Sequence, residues 1–78
     1  MTTPTAIADV ASMSVTLDGT SYKIQPLAED TYTVLVAGVP VGRIVYTFGA
    51  ANGVPESESV SEDTMYAIAE AWFAAVEA

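Results

Sequence analysis

Three carboxylates, Asp63, Glu70 and Glu77, recur every seven residues, and two aromatic rings, Tyr66 and Phe73, stand the same seven residues apart. On a helix of about 3.6 residues per turn that interval returns to nearly the same face. The spacing therefore predicts a row of acids with aromatics alongside it, on one flank of a helix. Glu56, Glu58 and Glu62 would extend the acids past the helix start. Glu56, Glu58, Glu62, Asp63, Tyr66, Glu70, Phe73 and Glu77 form the candidate partner-binding set. They can be read as a solvated helix edge with Phe73 tucked against a sheet rim. They can also be read as a contact surface, since aromatics ringed by charge make interface anchors.

Other chemistry is narrowed by what is missing. The sequence has no cysteine and no histidine. A Ser-His-Asp or Cys-His arrangement is impossible, and disulfides and thiolates are excluded. A zinc site would have only carboxylates to draw on. Glu56, Glu58, Glu62 and Asp63 could hold Ca²⁺ weakly, but they lack the EF-hand spacing. A carboxylate pair for acid–base work needs one buried member, and every acid falls in a turn, a loop or a helix flank. Gly49-Ala50-Ala51-Asn52-Gly53 has neither the spacing nor the lysine of a phosphate loop. The expectation is a non-enzyme with no cofactor and no metal.

Ten acids face two bases, Lys23 and Arg43, for a net charge of −8. Two cations cannot build the basic patch that DNA, RNA or an anionic membrane requires. A charged partner would be a basic protein surface; otherwise the acidity keeps a small, apolar-rich protein soluble. Lys23 and Arg43 read as partners in sheet-surface ion pairs, the stem of Arg43 covering apolar neighbours. No segment reaches the roughly 18–20 apolar residues of a membrane span. Met1 to Ala11 lacks a basic region and contains Asp9, which argues against a secretory signal. A cytoplasmic protein is expected.

Seventy-eight residues suit one domain. Residues 1–11 read as a flexible tail or a short helix capped at Thr3 with Pro4 in its first turn, held by Ile7 and Val10. Residues 12–78 form the domain. Asp18-Gly19 is a two-residue turn signal. It sets Leu17 opposite Thr20, Val15 opposite Tyr22 and Met13 opposite Ile24, all on one face. Pro26 ends that hairpin, and Gln25 to Asp30 connects onward. Thr31 to Ala37 and Val41 to Phe48 read as the third and fourth strands. Their turn is either a two-residue Ala37-Gly38 loop or a longer one through Pro40, the longer being favoured. Gly49 to Ser59 reads as an acidic loop. Ser61 to Ala78 reads as a helix capped by Ser61, with a Ser59–Glu62 capping box as the alternative and Val60 stapled onto Met65. Met65, Ile68, Ala69, Trp72, Ala75 and Val76 make its apolar arc. The expected fold is α+β: a four-stranded antiparallel sheet of two hairpins, one C-terminal helix across one face, and a monomer or weak homodimer.

A small acidic α/β chain without catalytic residues, its acids Glu56, Glu58, Glu62, Asp63, Glu70 and Glu77 crowded into the last 23 residues, resembles the phage inhibitors of bacterial defence, including anti-CRISPR proteins and other nucleic-acid mimics. The resemblance is one of class and rests on no shared motif. It implies binding to a basic nucleic-acid channel on a partner such as a CRISPR effector or another nucleic-acid-binding protein.

Overall fold

In the computed structural model, whose described residues run from 6 to 77, the chain zigzags through six strands before a single helix. The strands are β1 (Ala6–Asp9), β2 (Ser14–Leu17), β3 (Thr20–Ala28), β4 (Thr31–Val36), β5 (Val39–Thr47) and β6 (Ala50–Pro55), and the helix is α1 (Glu62–Glu77). Each strand pairs antiparallel with the next, giving one sheet in the order β1-β2-β3-β4-β5-β6. The α+β class and the C-terminal helix agree with the sequence. The sheet has six strands where the sequence indicated four.

The first hairpin has the expected register: Leu17 pairs with Thr20 and Val15 with Tyr22, and the Ile24 amide donates to the Met13 carbonyl at 2.8 Å. Asp18 and Gly19 take φ of 52° and 81°, as a mirror-image turn demands. Three other readings are corrected. Pro26 does not end β3; it sits opposite Tyr32, and an extra residue at Leu27 carries the strand on to Ala28. The next turn is the short one, Ala37-Gly38 at φ of 52° and 83°, with Val36 opposite Val39. Pro40 then lies inside β5 opposite Leu35. Val41 is the extra residue of a bulge between Pro40 and Gly42, which pair with Leu35 and Val34. Finally, Ala50–Pro55 is a strand and not a loop, reached through a Phe48-Gly49 turn at φ of 51° and 78°.

The segment 1–11, expected as a tail or short helix, contributes β1 over Ala6–Asp9, with Ala6 opposite Leu17 and Asp9 opposite Ser14. Alternation decides its role. Ala6 and Ala8 pack on the core, while Ile7, expected to dock, points the other way and is exposed, as is Val10. Asp9 turns the chain by accepting from the amides of Ala11 and Ser12 at 3.1 and 3.3 Å. The proposed cap at Thr3-Pro4 lies outside the described residues.

Helix α1 starts as its sequence indicates. The Ser61 hydroxyl accepts from the Thr64 amide at 3.2 Å, Glu62 and Asp63 occupy the positive first turn, and Val60 packs against the cluster containing Met65. Met65, Ile68, Ala69 and Trp72 are buried as expected. The arc then swings to Phe73, also buried, leaving Ala75 half-buried and Val76 exposed. The helix approaches the two edge strands and their neighbours, β6, β5, β1 and β2, but no Cα of it lies within 8 Å of β3 or β4. The sheet is thus curled, and α1 seals the gap between its edges. Side-chain size explains the curl. Ala6, Ala8, Gly42, Ala51 and Gly53 let the helix lie close at the rims, while Tyr22, Ile24, Tyr32 and Val34 fill the deeper centre.

Candidate functional site

One flank of α1 and the β5–β6 turn enclose a groove of about 380 Å³, lined by Tyr46, Ala51, Tyr66, Glu70, Phe73 and Glu77 and floored at one end by Gly49 and Ala50. Its position follows from the two periodicities. Tyr66, Glu70, Phe73 and Glu77 recur at helical spacing on one side of α1. Tyr46 and Ala51, a cross-strand pair on the helix-facing side of β5 and β6, form the opposite wall.

Four of the eight candidate residues therefore meet: Tyr66, Glu70, Phe73 and Glu77. Their roles differ. Tyr66 is half exposed and the two carboxylates are exposed, whereas Phe73 is 6% exposed and belongs to the core. Phe73 is the back wall and not a free anchor. Its ring centroid lies 5.1 Å from that of Tyr46 and 5.7 Å from that of Tyr32, which in turn meets Trp72 edge-on at 5.6 Å. This aromatic chain fixes the wall rigidly to the core.

The remaining acids stand elsewhere. Asp63 is exposed on the first turn of α1, continuing the row beyond the groove, with Glu62 beside it. Glu58 is exposed in the connection from β6. Glu56 does not extend the row: its Oε2 lies 3.2 Å from Arg43 Nε. Because Gly42 and Ile44 face the helix, Arg43 projects from the uncovered side of the sheet and takes Glu56 with it. That ion pair, expected for Arg43, is half exposed and contributes little to stability. Lys23 lies on the same uncovered side, opposite Leu35.

Both cations thus point away from the groove, and no basic residue occupies the last turn of α1. Glu77 sits in that turn, against the partial negative charge of the helix end, where a carboxylate is disfavoured. The Tyr46 amide donates to the Asp30 carbonyl at 2.9 Å, bringing the β3–β4 turn to the same end of the molecule. The Tyr46 phenol is raised above its ordinary pKa, first by donating toward the Glu77 carboxylate, then by desolvation and by the charges of Glu77 and Asp30. The site is a negative end without an internal counter-ion among the described residues.

Two residues outside the candidate set, Tyr46 and Phe48, stand in or beside the groove's wall. Tyr46 could have been found from its alternation with Ile44 along β5. Phe48 is fully exposed at the tip of the turn whose Gly49 floors the groove; no periodic signal marks it. Among the described residues no three carboxylates converge as metal ligands, and no helix is long and apolar enough to cross a membrane. Comparison of the chain with protein-family models, with curated proteins and with solved structures found no match.

Proposed function

We propose that this chain is a non-catalytic binding module whose acidic helix flank occupies a basic, nucleic-acid-binding surface of a partner protein and denies it DNA or RNA, in the manner of an anti-CRISPR-like nucleic-acid mimic. The observation that carries the reading is the groove, where Glu70 and Glu77 stand beside aromatic walls with no cation among the described residues to neutralise them. Asp63, Glu70 and Glu77 rise along α1 in steps of about 10.5 Å, close to three phosphate spacings of about 3.4 Å on one DNA strand. Tyr66 supplies the apolar contact that bases would give.

Self-association through the same flank is the competing reading, favoured by the exposure of Tyr66 and Phe48. A second copy would bring Glu70 and Glu77 against their own kind, and like charges meeting at an interface oppose it. A basic partner is the better fit.

The test is competition for DNA on purified nucleic-acid-binding effectors, CRISPR effector complexes included, with the parent chain and with Asp63→Asn, Glu70→Gln and Glu77→Gln combined. The parent should displace DNA less effectively as salt rises, and the triple variant should lose more than tenfold while folding normally, since exposed charges add little to stability. Competition that is absent, or unaffected by both salt and the triple change, overturns the reading. A mass of about 16 kDa in light scattering (twice 8.1 kDa), lost in Tyr66→Ser, would favour the homodimer instead.

A further inference from the structure

The groove is small. Its volume of about 380 Å³ is near the lower end of the range for small-molecule sites, so it holds one side chain or head group and not a helix. Its lining sorts by type: flat rings from Tyr46, Tyr66 and Phe73, and carboxylates from Glu70 and Glu77. Rings stacked beside carboxylates match a planar cation, which lies on an aromatic face while its edge donates two hydrogen bonds to one carboxylate. An ammonium is a compact, strongly hydrated point charge and would use the carboxylates but not the plane of the rings.

Phe48, which precedes the lining residue Gly49 in the β5–β6 turn, breaks two rules together. It is fully exposed, and its φ of 51° is a left-handed backbone that bulky residues rarely adopt. The Asp18-Gly19 turn meets the same geometry with a residue suited to it. Asn or Asp at position 48 would serve the turn better and spare the solvent an apolar ring. A strained, solvated aromatic next to a groove is the kind of local cost that function maintains.

We infer that this groove receives one arginine side chain of the partner, its guanidinium between Tyr66 and the Glu70 and Glu77 carboxylates, with Phe48 as the apolar contact at the rim. The inference rests on the reading of the partner as a basic protein and names the chemistry by which the site would hold it. No cation among the described residues lines the groove, the helix end adds negative potential, and the partner's guanidinium supplies the missing charge.

The probe is a short Gly/Ser peptide carrying a single arginine, titrated into the ¹⁵N-labelled full chain at constant ionic strength. Matched peptides carry lysine or citrulline, the uncharged isostere of arginine, at the same position. Arginine should shift the amides of Gly49, Ala51, Tyr66, Glu70 and Ala74 saturably, lysine should bind several-fold more weakly, and citrulline should not bind. Glu70→Gln should weaken arginine at least tenfold and Phe48→Asn about threefold. Asp18→Asn removes one charge at the opposite end of the sheet and should change nothing. Equal shifts for arginine and citrulline, arginine shifts spread to Asp18 and Glu58, or an unaltered affinity in folded Glu70→Gln, would overturn the pocket. If the pocket fails while the triple variant still loses DNA competition, the module reading stands without it. If arginine binds here while the chain competes with no nucleic-acid-binding protein, the partner class is wrong and the pocket stands.

Discussion

Gly53 of β6 lies directly against the main chain of Met65 in the first turns of α1: a Cβ at position 53 would overlap the Met65 carbonyl group and come within 2.8 Å of its Cβ. Gly42, its diagonal neighbour on β5, meets the Met65 thioether in the same way, with a Cβ there 2.6 Å from the terminal methyl. These two contacts set how closely the helix rides on the β5–β6 rim, and so fix the depth of the groove further along α1.

Gly53→Ala should therefore destabilise the fold by about 3 kcal/mol, at the upper end of what overpacking costs, because backbone and not a flexible side chain must move. A urea titration followed by circular dichroism would measure it. An unchanged midpoint would show that α1 does not sit this close to β6.

Trp72 is 2% exposed, yet its indole N–H has no partner among the described residues. Trp72→Ala should cost about 3–5 kcal/mol through the cavity it leaves. Trp72→Phe deletes an orphan donor whose burial costs about 1–3 kcal/mol and should thus be far milder, about 1 kcal/mol. Equal losses for the two variants would show that the N–H is satisfied.

Ala37 and Phe48 both hold left-handed φ, at 52° and 51°. Asn at either position relieves a conformation that costs most residues about 1–2 kcal/mol, so each variant should melt several degrees higher, by roughly 4–8 °C per kcal/mol for a domain of this size. Only Phe48→Asn should weaken arginine binding. A gain in stability and a loss of binding from the same substitution would separate the two roles of position 48.

Tyr46 provides a pH test. Its phenol is raised above 10.0 in the folded chain, chiefly by Glu77. A raised folded value means that the folded state holds this proton more tightly than the unfolded chain does. The contribution to stability is then full below pH 10.0 and is lost as pH rises through the raised value. Glu77→Gln removes the charge and should bring the Tyr46 midpoint down toward 10.0, read from its ring resonances by NMR. A midpoint unmoved by that substitution would mean that Glu77 does not touch the phenol.

What the sequence determined by itself was local and strongly patterned. Asp18-Gly19 supports a mirror-image turn, and the alternation from Met13 to Ile24 agrees with it, so turn and pattern specify a single register. Ser61, the acids after it and the apolar arc through Met65, Ile68, Ala69 and Trp72 are likewise complete instructions for a helix. The acidic, aromatic flank followed from that helix, and Tyr66, Glu70, Phe73 and Glu77 do share one groove.

Tertiary structure decided the rest, because in those segments local preference is weak or misleading. Apart from Ile7 and Val54, Ala6–Asp9 and Ala50–Pro55 are built of alanine, aspartate, glycine, asparagine and proline, which favour strands poorly; they are strands because each hydrogen-bonds a neighbour and presents small residues to the helix. Ala37-Gly38 and Phe48-Gly49 carry the wrong first residue for their turns and are held there by the ladders on either side. Whether Phe73 faced solvent or core depended on Tyr32 and Tyr46, more than 25 residues away in the chain. Glu56 left the acidic row because β5 sets Arg43 within 3.2 Å of it. Spacing along a chain fixes which residues share a face, but which face closes on a partner is settled only by how the sheet curls around its helix.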